Sequence, residues 1–223
     1  MYKRVAGTVI NIIFILTYVT LNITKFNSFF HQNRLQFLMF IFPYILSNIL
    51  VATLLTINLL KKPKDINDST LMFFLCIAVC NLPFIVSFFG GIASANINQS
   101  IAGVGMLLNI LTMPFYLISL IELGSSLSVL PEANKLKTTG IYSFSRHPLY
   151  SCYIFWYVMQ ILICQTWVIL LVSAIQISMQ IIRAKQEEKI LARNFPEYEE
   201  YKAKVLWFGR NLFYEEKKLP AQL

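Results

Sequence analysis

The chain has 223 residues, 57% of them hydrophobic and 13% charged, with a net charge of +8. A soluble domain carries about 25% charged residues, so this composition, with a mean hydropathy of +0.60, excludes an ordinary soluble domain and points to an integral membrane protein. The positive charge does not indicate nucleic-acid binding, because the cations form no basic domain and fall in short clusters between apolar runs, as in cytosolic loops of membrane proteins.

A membrane-crossing helix needs about 20 apolar residues. Six runs qualify in chain order: Val5–Ile23, Leu35–Leu60, Leu71–Phe89, Ile101–Ile121, Leu149–Gln165 and Thr166–Ile182. The first lacks a small-residue cleavage site and reads as a span, not a cleaved leader. The second contains Pro43, which predicts a tilt or kink, and the fourth contains Pro114. The last two form one apolar stretch too long for a single crossing. Its most polar point, Cys164-Gln165-Thr166, predicts a tight helical hairpin. Helices are expected over strands because the runs are long and unbroken and lipid requires backbone groups to be satisfied within the segment. Cys76, Cys80, Cys152 and Cys164 lie in or beside these runs and read as small buried hydrophobes; no metal site is expected.

Lysine and arginine set the expected orientation. Lys3 and Arg4 precede the first span, and Lys61, Lys62 and Lys64 follow the second. Lys135, Lys137 and Arg146 separate the fourth from the fifth, and Arg183, Lys185, Lys189 and Arg193 follow the sixth. The stretch Gly90–Ser100 and the Cys164–Thr166 turn carry no charge. Both termini are therefore expected in the cytosol, with Lys25 and Arg34 in the first loop as the discordant point. Two parts are expected: residues 1–121, the N-terminal transmembrane helices, and residues 122–223, a polar loop, a helical hairpin and a cytosolic tail. The loop of about 27 residues exceeds usual connection lengths, and such loops are often functional.

Two motifs stand out. In "TTGIYSFSRHPLY", Thr138–Tyr150, Pro148 suits the first turn of a helix because it has no N–H to leave unpaired. Arg146 and His147 then stand at the cytosolic edge of the fifth span, with Tyr142 and Tyr150 nearby. Headgroup contact and an aromatic belt explain each residue singly. In "IIRAKQEEKIL", Ile181–Leu191, Arg183 and Glu187 share a helix face one turn beyond the sixth span; a solvated i,i+4 pair is the simplest reading.

Together the motifs carry a resemblance. "LGSSLS", Leu123–Ser128, "KLKTTGIY", Lys135–Tyr142, "RHPLY", Arg146–Tyr150, "RAKQEEKIL", Arg183–Leu191, and "FPEYEEYKAKV", Phe195–Val205, occur in order around the hairpin. This resembles the isoprenylcysteine carboxyl methyltransferase family, which is related to membrane phospholipid N-methyltransferases, over roughly residues 120–208. Departures are Cys152 where a small residue is common, Phe195-Pro196 where the family has Phe-Gly, and Val205-Leu206 where it has Val-Pro. They bear on substrate preference.

The apolar runs and the resemblance together give an expected all-α fold, a polytopic membrane protein of about six transmembrane helices with a C-terminal helical hairpin and a cytosolic cofactor pocket. The resemblance implies S-adenosylmethionine as cofactor, held without a G-x-G-x-x-G loop, which this chain lacks. Glu187 is implied to hold the methionine amino group. Asn134, Lys135, Leu136 and Lys137 are implied to give backbone contacts, and Tyr142, His147, Pro148, Leu149 and Tyr150 to line the nucleoside end. Arg183 is implied to position an acceptor carboxylate. The expected partners are a hydrophobic or lipidic methyl acceptor and membrane lipids. Carboxyl methylation of an isoprenylcysteine-like or other lipidic acceptor leads. The alternatives are a phospholipid amine N-methyltransferase, with His147 or Glu188 as base, and a non-catalytic membrane binding or scaffold protein.

Overall fold

A computed structural model describes residues 2–32, 42–67, 69–88 and 97–211. Among these residues the fold is all-helical, with seven α-helices. They are α1 (Tyr2–Gln32), α2 (Phe42–Leu59), α3 (Thr70–Phe88), α4 (Gln99–Leu123), α5 (Pro148–Cys164), α6 (Trp167–Asn194) and α7 (Tyr198–Lys204). Short 3-10 turns occupy Gly124–Ser126 and Gly140–Ser143.

The helix ends follow local chemistry. The Asn98 side chain caps α4 by accepting from the amides of Ser100 and Ile101 at 3.1 and 3.2 Å. The predicted hairpin is present. α5 ends at Cys164, Gln165 turns the chain with φ of 51°, and the Thr166 hydroxyl caps α6 at the Ile169 amide. The Gln165 amide then exchanges two hydrogen bonds of 2.9 Å with the Asn98 backbone, joining the hairpin tip to the start of α4. α4 packs tightly on α5. A β-carbon at Gly105 would lie 3.0 Å from Leu162 and Ile163, so glycine permits the approach. α4 continues through Pro114 without ending.

Among the described residues, the helices spanning Gln99–Ser126 and Trp167–Asn194 are long and apolar enough to cross a membrane, and Ile45–Leu59, Thr70–Asn81 and Pro148–Cys164 are shorter apolar helices. α1 outruns the expected first span, extending to Gln32. Residues 35–41 of the expected second span, Phe89 of the third, Arg34, and residues 90–96 of the uncharged loop lie outside the described residues. The bundle exposes apolar side chains: Leu111, Phe115 and Ile121 on α4 and Trp167, Leu170 and Leu171 on α6 are outward. Several buried side chains are polar, including Asn11, Asn81, Ser173 and Gln176. This inversion suits lipid, where an apolar exterior costs nothing.

The loop after α4 is anchored rather than solvated. Leu127, Val129 and Leu130 join Leu55 of α2, Met72 and Cys76 of α3, Leu120 of α4 and Leu149 of α5 in one apolar cluster. Backbone bonds pair residues 64–67 with 131–133: Lys64 N–H to Ala133 O, Ala133 N–H to Asp65 O, and Asn67 N–H to Pro131 O. A buried ion pair joins these bonds. Arg4 Nε donates to Glu132 Oε1 at 2.7 Å, with both side chains nearly inaccessible. Arg4 Nη2 also donates to the Asn58 carbonyl and side-chain oxygens at 2.7 and 2.8 Å, and Asn58 Nδ2 reaches Ser125 O. Arg4, expected as an ordinary basic flank, is thus a buried clasp among α1, α2 and the loop. A second apolar cluster of Ala133, Ile190, Phe195, Tyr198, Tyr201 and Val205 seats the tail on α6 and the loop.

Removing one partner of a buried ion pair strands the other charge, at a cost of about 3–5 kcal/mol. Glu132→Gln is therefore expected to lower stability on that order, read by unfolding in detergent. The double variant Arg4→Leu/Glu132→Leu is expected to regain most of the loss.

Candidate functional site

The site begins with a glycine. At Gly140, φ is +60°, and a β-carbon there would lie 2.2 Å from both carboxylate oxygens of Glu122. Only glycine fits both the backbone and the space. The Ile141 amide donates to Glu122 Oε2 at 2.7 Å, which pins the 140–143 turn to the end of α4. Tyr142 is buried there, and its carbonyl accepts from the Tyr201 hydroxyl at 2.6 Å. From this turn the chain leads into α5. His147 is the N-cap and Pro148 the first helical residue, so Leu149 and Tyr150 fall in the first turn, Leu149 packing into the apolar cluster and Tyr150 reaching α6.

Two polar groupings result. In the first, the Tyr150 hydroxyl donates to Glu187 Oε2 at 2.6 Å, and the Arg183 guanidinium stands 5.5 Å from the Tyr150 ring centre, within cation–π range. Arg183 Nη2 donates to Ser128 O at 2.5 Å, and Nη1 makes a 3.9 Å contact with Cys80 Sγ. Among the described residues its Nε has no hydrogen-bond partner, although the residue is only 8% exposed. Among the described residues no carboxylate lies within ion-pair distance of Arg183. The solvated Arg183–Glu187 pair allowed by the sequence is therefore replaced by two separate engagements.

In the second grouping, Glu188 Oε1 meets His147 Nε2 at 2.9 Å and Arg146 Nη2 at 3.3 Å, while Oε2 lies 3.7 Å from Lys202 Nζ. The Trp207 ring packs at a tilt of 42° against His147, with centroids 4.6 Å apart. Arg146 N–H donates to Leu206 O, and the Ser145 hydroxyl donates to Trp207 O. The tail is thereby fastened over the His147 side of the site. Burial acts to raise the Glu188 carboxyl, but the His147 hydrogen bond and charge, with Arg146 and Lys202, outweigh it and hold the carboxyl below its usual range.

Between these groups lies a recess of about 460 Å³, the open space at its mouth included. The predicted residues Tyr142, His147, Leu149, Tyr150, Arg183 and Glu187 line it. Pro148 is buried behind it and shapes the helix start. Asn134, Lys135, Leu136 and Lys137 are not in the lining. Asn134 donates to Glu132 Oε2, Leu136 packs on the tail cluster, and Lys135 is exposed. The structure adds Ser126, Ser128, Arg146 and Tyr153 to the lining and Glu188 behind His147. Arg146 and Glu188 stood inside recognised motifs, whereas no local signal marked Tyr153 on α5 or Trp207 in the tail.

Arranged in this way, the recess offers a carboxylate, phenol faces, hydroxyls and a buried guanidinium. It suits a ligand carrying both positive and negative groups.

Residues 103–193 match the sequence model described as "Isoprenylcysteine carboxyl methyltransferase (ICMT) family". The match starts within α4, earlier than the quoted motifs, and ends before the Phe195–Val205 motif. No curated protein matches the chain at significant similarity.

A carboxylate held low in the folded state stabilises the fold at pH above its unfolded value and loses that contribution as pH falls through the folded value. For Glu188 the window therefore opens below about 4.5, the ordinary carboxyl value. Glu188→Gln is expected to be less stable than the parent at neutral pH, and the two stabilities are expected to converge in acid. Unfolding in detergent between about pH 3 and 7 checks this, and a constant gap would refute it.

Proposed function

From a segment that is of the isoprenylcysteine carboxyl methyltransferase family, a family of membrane methyltransferases, we propose that this protein uses S-adenosylmethionine to methylate the carboxylate of a lipidic acceptor, isoprenylcysteine-like or otherwise. The observation that carries the acceptor assignment is Arg183: a buried guanidinium with, among the described residues, an unpartnered Nε and no carboxylate in ion-pair range. An unpaired buried cation is costly, and a planar guanidinium can grip a carboxylate through two parallel hydrogen bonds.

The residues at the recess fit the cofactor's chemistry. Glu187 offers a carboxylate oxygen, Oε1, beyond its bond from Tyr150, suited to an ammonium group. Tyr142 and Tyr150 offer aromatic faces, which attract cations such as a sulfonium. His147 and Leu149 are assigned to the nucleoside end with Tyr142 and Tyr150, and Pro148 holds them in place. Asn134, Lys135, Leu136 and Lys137 remain proposed backbone contacts on the family resemblance, since their side chains stand outside the recess. Bound there, S-adenosylmethionine supplies an electrophilic methyl group.

The chain's own task is placement. A carboxylate is already ionised at neutral pH, so no residue has to remove a proton. Arg183 orients the acceptor, and the apolar wall from Leu123, Leu127 and Leu149 excludes water from it. The proposed topology has six crossings, both termini and the recess on the cytosolic side, and residues 122–223 as the methyl-transfer part. The soluble cofactor then arrives from the cytosol and the acceptor from the membrane.

A second reading, amine methylation of a phospholipid, is favoured by the His147–Glu188 contact, because an amine must lose a proton and a carboxylate-paired imidazole is a suitable base. The products separate the two: a methyl ester is base-labile and a methylamine is not. A non-catalytic binding role predicts no transfer to any acceptor.

Glu187→Ala is expected to abolish cofactor binding and transfer of labelled methyl. Arg183→Lys is expected to keep cofactor binding, measured by calorimetry, while lowering kcat/KM for a carboxylate acceptor by about 100-fold, since lysine keeps the charge and loses the fork. Unchanged transfer by Arg183→Lys would overturn the acceptor assignment.

A further inference from the structure

The buried face of α6 is polar well beyond the recess. Ser173, Gln176, Gln180, Arg183 and Glu187 follow one another at three- and four-residue steps, so they share one side of the helix. The opposite side exposes Leu170, Leu171 and Ile175. Arg183 and Glu187 line the recess, and Gln180 and Gln176 continue the same side deeper into the bundle.

Gln176 is the unusual member. It is 0% exposed, and among the described residues neither its amide nitrogen nor its amide oxygen has a hydrogen-bond partner. Gln180, also buried, leaves its Oε1 unpartnered. Polar side chains inside membrane bundles ordinarily bond across to a neighbouring helix and so hold the bundle together. Gln176 holds nothing. An unpartnered buried amide costs more than a made hydrogen bond returns, and leucine would fill the position without that cost. Such a residue is suited to a partner that arrives: Gln176 can donate through Nε2 to an amide carbonyl or accept through Oε1 from an amide N–H.

We propose that this face of α6 seats the acceptor's membrane-buried part, and that the acceptor carries an amide about 10 Å from its carboxylate, the rise of the seven helical residues between Arg183 and Gln176. The acceptor class is then an amide-bearing amphiphile, not a plain hydrocarbon acid. Gln176 is packed on all sides in this conformation, so the acceptor reaches it by parting α6 from α3 and α5. The proposal rests on the reading of Arg183 as the carboxylate grip.

The test compares two acids of equal chain length, N-octanoyl-8-aminooctanoic acid and heptadecanoic acid. Their affinities for the full chain in lipid nanodiscs are measured by calorimetry without cofactor. The parent protein is expected to bind the amide acid about ten-fold tighter or more. Gln176→Leu is expected to bring the two acids to within about two-fold of each other while leaving heptadecanoic acid unchanged. Gln176→Met, closer in shape, is measured alongside so that a folding defect in one variant does not decide the outcome. Equal affinities in the parent protein, no binding of either acid, or an amide preference kept in either folded variant overturns the proposal. Labelled methyl transfer to both acids is read separately. An amide preference without transfer supports the seat and overturns the methyl-transfer reading, so the two ideas fail independently.

Discussion

The site depends on charge taken out of water and held at fixed points in an apolar bundle. Arg4 and Glu132 form the first such point. Their contact draws the start of α1 and the end of α2 onto the loop after α4. That loop carries Ser128, whose carbonyl accepts from Arg183. A residue near the N-terminus thus helps set the position of a guanidinium near the other end of the chain. The low dielectric around both groups makes the arrangement selective, because a misplaced charge there is far costlier than at a surface.

Two carboxylates divide the recess end of α6. Glu187 faces Tyr150 and the recess, while Glu188, the next residue on the helix, points to His147, Arg146 and Lys202. Adjacent helical residues point about 100° apart, so neighbouring glutamates serve different walls. Glu122 adds a third fixed point by holding the Gly140 turn. Because the tail lies over His147 through Trp207, the wall opposite α6 is built from both the loop and the tail.

Much of this was legible in the chain. The hydrophobic runs and the Gln165 break predicted the α5–α6 hairpin, and Pro148 predicted the start of α5. The motifs predicted that Tyr142, His147, Tyr150, Arg183 and Glu187 belong together, and all five line one recess. The segment Asn134–Lys137 was less legible. It neighbours Glu132 in sequence, yet Glu132 is drawn toward Arg4 and Leu136 toward the tail, which leaves these side chains away from the recess. Arg4 was read as a loop cation because nothing local distinguishes a lysine or arginine at a membrane edge from one clasped inside.

By itself the sequence determined the helical class, the hairpin and the residue types from which a site can be made, since hydrophobic run length, proline and turn chemistry act locally. It also brought Arg183 and Glu187 to one helix face, because helical periodicity is a local property. Only the tertiary structure decided their partners. Glu187 turns to Tyr150, Glu188 to His147, and Arg183 to a loop carbonyl with Nε left open. Pairing depends on which helices meet and how deeply each charge is buried, and those are properties of packing that no spacing along the chain contains.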